Sequence, residues 1–197
     1  MHRRWLEAVV ASPPPWLYPV LIPLSLLYAW STALHRGLYR LGILKSGKLP
    51  RPVVSVGNMT AGGGGKTPVV MWLAETLSKK GVKTAILSRG YGRMGRETLL
   101  VDPEGPWENF GDEPALMADK LRDVAVAVSG SRRLAGLELL EQRDVDLFIL
   151  DDGFQHLDLQ KDLDLVLIDA SNPFGNGHLL PWGPLREPRA SLERADA

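Results

Sequence analysis

Residues 61–68, Ala-Gly-Gly-Gly-Gly-Lys-Thr-Pro, set four glycines ahead of a lysine and a hydroxyl. Glycine inside regular structure costs about 0.5–1 kcal/mol relative to alanine, so a run of four points to backbone that must approach something closely. Backbone N–H groups without side chains in the way can wrap a phosphate. A helix starting near Thr67 would add its partial positive charge. Lys66 would neutralise phosphate oxygens and the Thr67 hydroxyl would ligate Mg2+. Pro68 falls in the first helical turn, where a missing N–H costs nothing. Gly62, Gly63, Gly64, Gly65, Lys66, Thr67 and Pro68 are therefore the candidate nucleotide-binding residues, against the blander reading of a glycine-rich β-turn. The usual spacing, G-x-x-x-x-G-K-[ST], would require glycine where Thr60 stands. The stretch fits K-G-G-x-G-K-T better, the variant of MinD/ParA-like ATPases, but with Ala61 in place of the leading lysine.

A second cluster, ILDDGFQH at 149–156, ends an apolar run with two carboxylates. Asp151 and Asp152 are the residue type needed opposite a phosphate loop to hold Mg2+, directly or through water; otherwise they are solvated acids in a turn. His156 reads either as an orienter of these acids or as a satisfied polar side chain. GDEP at 111–114 opens a helical stretch. Asp112 there reads first as a helix N-cap, with a base that takes a proton from a substrate hydroxyl as the alternative. Arg89, Arg93, Arg132, Arg133 and Arg186 follow strands or sit in glycine-rich turns, with Glu187 beside the last. Such arginines can clamp phosphates or make surface ion pairs.

These residues need a scaffold, and the pattern beyond Pro50 supplies one. Short β-branched runs at 52–57, 83–88, 98–101, 124–128, 145–150 and 163–169 alternate with helical candidates at 67–80, 113–122 and 131–143. Near-continuous apolar strands separated by helices predict an α/β fold with a mostly parallel sheet covered by helices. Ligands in such sheets bind at the carboxyl ends of strands, where the glycine loop and the acid pair both fall. The segment 171–188, rich in proline and glycine, reads as a loop or lid.

The first 50 residues differ in kind. Formal net charge is zero over the 197 residues, yet residues 1–51 carry seven Lys/Arg and one acid, leaving the rest acidic by the same margin. No charge occurs between Ala8 and Leu34, and Arg36, Arg40, Lys45 and Lys48 follow. Prolines 13, 14, 15, 19 and 23 argue against one clean helix through the first part; the stretch after Pro23 reads better as helix. Amphipathic aromatics and trailing cations predict a segment lying in or dipping into an anionic membrane surface, as against a signal peptide, a core helix or a true span. Two regions are expected, 1–50 as the membrane-associated segment and 51–197 as a P-loop domain. There is no cysteine, hence no thiolate site or nucleophile.

Taken in order, VGNMTAGGGGKTP, ILSRGYGR, GDEP, DDGFQH and LIDASNPFGNGHLLPWGPLREP after a basic apolar head resemble the tetraacyldisaccharide 4′-kinases, over about residues 10–190. That family's own loop lacks the first glycine, so Thr60 ceases to be an anomaly. The resemblance implies transfer of the ATP γ-phosphate, with Mg2+, to the 4′-hydroxyl of tetraacyldisaccharide 1-phosphate, a lipid A precursor, at the cytoplasmic face of the bacterial inner membrane. It implies contact with inner-membrane lipid and no nucleic acid, and no protein partner is evident. By position it makes Lys66, Asp112 and Asp152 catalytic, with Asp112 as the base. Thr67, Asp151 and Asp152 become metal ligands, and Glu113, Arg132, His156, Arg186 and Glu187 surround the substrate. Family members run past 300 residues, with a C-terminal domain that supplies a histidine for the base. The expectation is that residues 1–197 alone have little or no kinase activity. The rival readings are a MinD/ParA-like membrane ATPase, a GTP-binding membrane protein (no NKxD-type guanine motif occurs) and a non-catalytic nucleotide-binding remnant.

Overall fold

A computed structural model describes residues 13–62, 64–93, 95 and 97–197; Gly63 of the candidate loop, and the cations Arg3 and Arg4, lie outside the described residues. The chain forms two compact units interleaved in sequence. One comprises 46–57 and 65–165, the other 1–45, 58–64 and 166–197.

The larger unit is built on a sheet of six strands: β1 (Val53–Asn58), β2 (Thr84–Ser88), β3 (Leu99–Leu100), β4 (Ala125–Val128), β5 (Leu147–Asp151) and β6 (Leu163–Leu167), in the order β3-β4-β2-β5-β1-β6. The β1–β5, β2–β5 and β2–β4 pairs are parallel, as near-continuous apolar strands require. The two-residue β3 breaks the pattern by pairing antiparallel with β4. Three helices connect the strands: α2 (Lys66–Lys79), α3 (Asp112–Lys120) and α4 (Arg132–Gln142), with α1 described below. On one side Leu87, Phe148 and Leu150 pack with Leu49, Ala135 and Leu139. On α2, Val70 and Ala74 are fully buried. The register sets Val56 opposite Asp151 and Leu87 opposite Leu150, so β2 and β5 end at one level and β1 runs on beyond it to Asn58.

The helices start where local chemistry dictates. Ser131 caps α4 by accepting from the Leu134 N–H at 3.4 Å. Asp112 does not cap α3. Gly111 holds the cap position with φ 91° and no side-chain cap bond forms, leaving Asp112 as the first helical residue. A Cβ at Gly111 would also lie 2.7 Å from the Tyr91 carbonyl oxygen, so only glycine fits there. The cap reading of Asp112 is thereby corrected.

The smaller unit is organised by α1 (Tyr18–Arg40), preceded by a 3-10 turn at Pro15–Leu17. The expected break at Pro23 does not occur: Pro23 lies inside the helix and Pro19 in its first turn. An early proline loses no bond, and one at Pro23 forfeits only the bond to the Pro19 carbonyl. Only Ser25 of α1 is buried, which also sets aside the core-helix alternative. Ser25 Oγ donates to the Leu179 carbonyl and Tyr28 Oη to the Arg186 carbonyl, both at 2.9 Å. Leu26 and Trp30 are 66% and 64% exposed. In length and composition the stretch Pro15–Arg40 is sufficient to cross a membrane.

Candidate phosphate and metal site

In the larger unit, Gly65 ends the glycine loop in the left-handed conformation, φ 70°, and caps α2. Lys66 is thus the first residue of that helix, and Thr67 and Pro68 complete its first turn beside its free N–H groups. The Lys66 ammonium reaches Asp152, Nζ to Oδ1 3.4 Å, with most of the lysine side chain buried. Asp152 follows the last residue of β5 and takes φ 52°, the one positive φ outside glycine among the described residues. A left-handed non-glycine residue costs energy and clusters at functional sites.

Asp151 is 4% exposed, and Ser88 at the end of β2 donates its hydroxyl to Oδ2 at 3.0 Å. Burial pushes the Asp151 carboxyl up to about 6; the Ser88 hydrogen bond opposes this, the negative charges of Asp152 and Glu113 add to it, and Lys66 opposes it. Glu113, in the first turn of α3, therefore belongs to the same electrostatic neighbourhood as Asp151. Asp112 is exposed. Arg132, the first residue of α4, is 6% exposed. Burial lowers its pKa, as does the positive charge of Arg89, while Asp158, Asp152 and Asp151 act in the opposite sense. His156 pairs through Nε2 with Asp158 Oδ1, and this bond holds the Asp158 carboxyl below its ordinary range against burial.

Arg186 and Glu187 lie in the smaller unit, where the glycine loop begins. The Arg186 N–H donates to the Met59 carbonyl at 2.8 Å and the Ala61 N–H to the Pro184 carbonyl at 2.7 Å. Glu187 is 4% exposed and lies between Arg36 at 3.3 Å and Arg194 at 2.8 Å. Arg36 is thus committed to Glu187, where the sequence placed it among cations facing lipid. The approach to the loop has a second support in Asn58: a Cβ on Gly64 would lie 2.6 Å from the Asn58 side-chain nitrogen.

Sequence reasoning missed Ser88, Asp158 and Asn58. Ser88 is found only from the strand order that sets β2 beside β5. Asn58 did carry a signal, as the polar residue that ends an otherwise buried strand.

The whole length from residue 17 to 197 matches the family model of tetraacyldisaccharide-1-P 4′-kinase. A tetraacyldisaccharide 4′-kinase of Pelobacter propionicus is 46% identical over 185 residues, covering 91% of this chain and 51% of that protein. The crystal structure of LpxK from Aquifex aeolicus in complex with ATP superposes with a TM-score of 0.82 at 45% identity, over 89% of this chain and 56% of that one. The chain spans about half the length of these relatives.

Proposed function

This chain belongs to the tetraacyldisaccharide-1-P 4′-kinase family, and from that premise we propose that it binds ATP with Mg2+ at the start of α2. The reaction it serves is transfer of the γ-phosphoryl group to the 4′-hydroxyl of a tetraacyldisaccharide 1-phosphate, a lipid A precursor. The observation that carries this reading is the meeting of Lys66 and Asp152 at the N-terminus of α2, with buried Asp151 alongside.

The residues present suit the group. A Cβ at Gly65 would meet no atom within 4 Å, so the end of the loop is open to phosphate oxygens, and the helix N-terminus favours negative charge there. No group of three or more acids and histidines suited to a metal occurs among the described residues. Mg2+ needs none, since one or two carboxylates plus phosphate oxygens and water suffice. Thr67, Asp151 and Asp152 would hold it, and bound Mg2+ would neutralise charge on the phosphates.

The chain's own residues do the rest by position and charge. Lys66 orients the phosphates; buried Arg132 keeps positive potential beside the acids; Asp112, exposed at the first position of α3, accepts the proton of the sugar hydroxyl at its carboxylate. His156 and Asp158 brace the segment that follows the acid pair. Arg186 and Glu187 shape the approach to the glycine loop. The exposed apolar face of α1 rests in the cytoplasmic leaflet of the bacterial inner membrane, where an acylated substrate resides; the cations after the apolar run support that side. An ATP titration with and without Mg2+, paired with a 4′-kinase assay, tests the reading. Mg2+-dependent binding is expected, and its absence sinks the nucleotide site. Nucleotide-driven dimerisation without lipid phosphorylation would favour a membrane ATPase instead.

A further inference from the structure

The acid pair is followed by a turn whose carbonyls are held by a residue outside every motif. Lys161, just before β6, has a largely buried side chain. Its ammonium donates to the Gly153 carbonyl at 2.9 Å, the Phe154 carbonyl at 3.2 Å and Asp164 Oδ2 at 2.6 Å. An ammonium has three donors, so one lysine can serve both carbonyls and the carboxylate. The turn is gripped from other sides as well. The Gly153 N–H donates to the Val56 carbonyl at 3.3 Å, and the His156 N–H closes back on the Gly153 carbonyl at 2.9 Å. Gly57 of β1 lies so close to Phe154 that a Cβ there would fall 2.7 Å from its backbone nitrogen.

Asp152 immediately precedes these two carbonyls and keeps its left-handed φ of 52° only where the surroundings impose it. A buried charge is held at such a site when its bonds compensate its lost hydration. Lys161 supplies the turn with charge-assisted bonds, the stronger kind, to two successive peptide carbonyls one residue beyond Asp152.

We propose that Lys161 is a positioning residue for the acid pair: by clamping the Gly153 and Phe154 carbonyls it holds Asp152 in left-handed backbone with its carboxylate toward Lys66. It touches neither phosphate nor metal and acts through the turn. The inference rests on the nucleotide reading given above, because the pair matters only if it serves Mg2+ and phosphate.

The test compares the full chain with Lys161→Met, which keeps length and loses the donors, and with Lys161→Arg. ATP affinity with Mg2+ is expected to fall about tenfold or more in Lys161→Met, and Mg2+-free affinity less than about twofold. Lys161→Arg is expected to recover part of the difference. In the nucleotide-free chain, amide hydrogen exchange at residues 152–156 is expected to speed up while β2 and β4 keep their protection. Equal loss of both affinities, or unchanged exchange at 152–156, overturns the positioning role and leaves the nucleotide site standing. An unsubstituted chain without Mg2+-dependent ATP binding overturns the nucleotide reading itself. Should Lys161→Met lose protection throughout the sheet, Asp164→Asn carries the test. It leaves the ammonium and loosens one anchor, and a smaller effect of the same kind is expected; no Mg2+-selective effect there counts against the proposal.

Discussion

Asp112 and Asp151 are both acids at strand or helix ends, yet the structure gives them opposite environments. Asp112 is exposed at the head of α3 and does not cap it. In a protein that carries the 4′-kinase activity, Asp112→Ala is expected to lower kcat by about 10²–10⁴ while ATP affinity stays nearly constant; an unchanged kcat would remove the base role. Asp151 is buried with its carboxyl raised from 3.8 to about 6. A folded-state pKa above the unfolded one stabilises the protein fully below the unfolded value and loses that contribution as pH rises through the folded one. The metal-free chain should therefore lose stability from this group between about pH 4 and 6, by roughly 3 kcal/mol at 1.36 kcal/mol per unit. Urea unfolding across that range should show the slope, and Asp151→Asn should flatten it. Lys66, Asp151 and Asp152 were legible because strand, glycine loop and acid pair occur as contiguous strings. Ser88 and Lys161 were not, since each acts on residues 63 and 7–8 positions away and a linear pattern carries no such partner.

At the level of elements, the alternation of apolar runs and helical stretches predicted every strand and helix of the sheet to within a few residues. It missed the antiparallel pairing of β3, because two residues carry no directional pattern, and it missed the start of α1, because Pro19 lies in the first turn and Pro23, though inside the helix, forfeits only one bond. The junction of β1 with the acid turn is a close backbone contact. In Gly57→Ala the new methyl would lie 2.5 Å from the Phe154 Cβ and 2.7 Å from its backbone nitrogen. Backbone cannot swing aside as a flexible side chain can, so a cost of about 1–3 kcal/mol is expected, with weaker Mg2+-dependent ATP binding because the displaced turn carries Asp152. A shift in the urea midpoint together with an ATP titration checks both; native stability with native affinity would mean that the turn yields freely.

For the whole molecule, the decisive contrast is between a closed apolar core under the sheet and an open apolar face on α1. Leu26, Leu27, Trp30 and Leu34 are all exposed and recur at helical spacing along one stripe. A charge placed within such a stripe opposes transfer into lipid by about 2.5–3.5 kcal/mol at the bilayer centre. The chain is expected to float with vesicles containing anionic lipid, and Leu26→Asp with Leu27→Asp to leave it in the soluble fraction. High salt should weaken the attachment only in part, because burial of the stripe is not screened. Equal flotation of the double variant would place the membrane contact elsewhere. The two-residue β3 has a different consequence. An edge strand invites another chain by offering a row of unpaired peptide groups, and two residues offer too few to copy. Deprived of lipid, copies of this chain should cluster through the greasy flank of α1 as amorphous, detergent-reversible aggregates, and not grow from that margin of the sheet into fibrils.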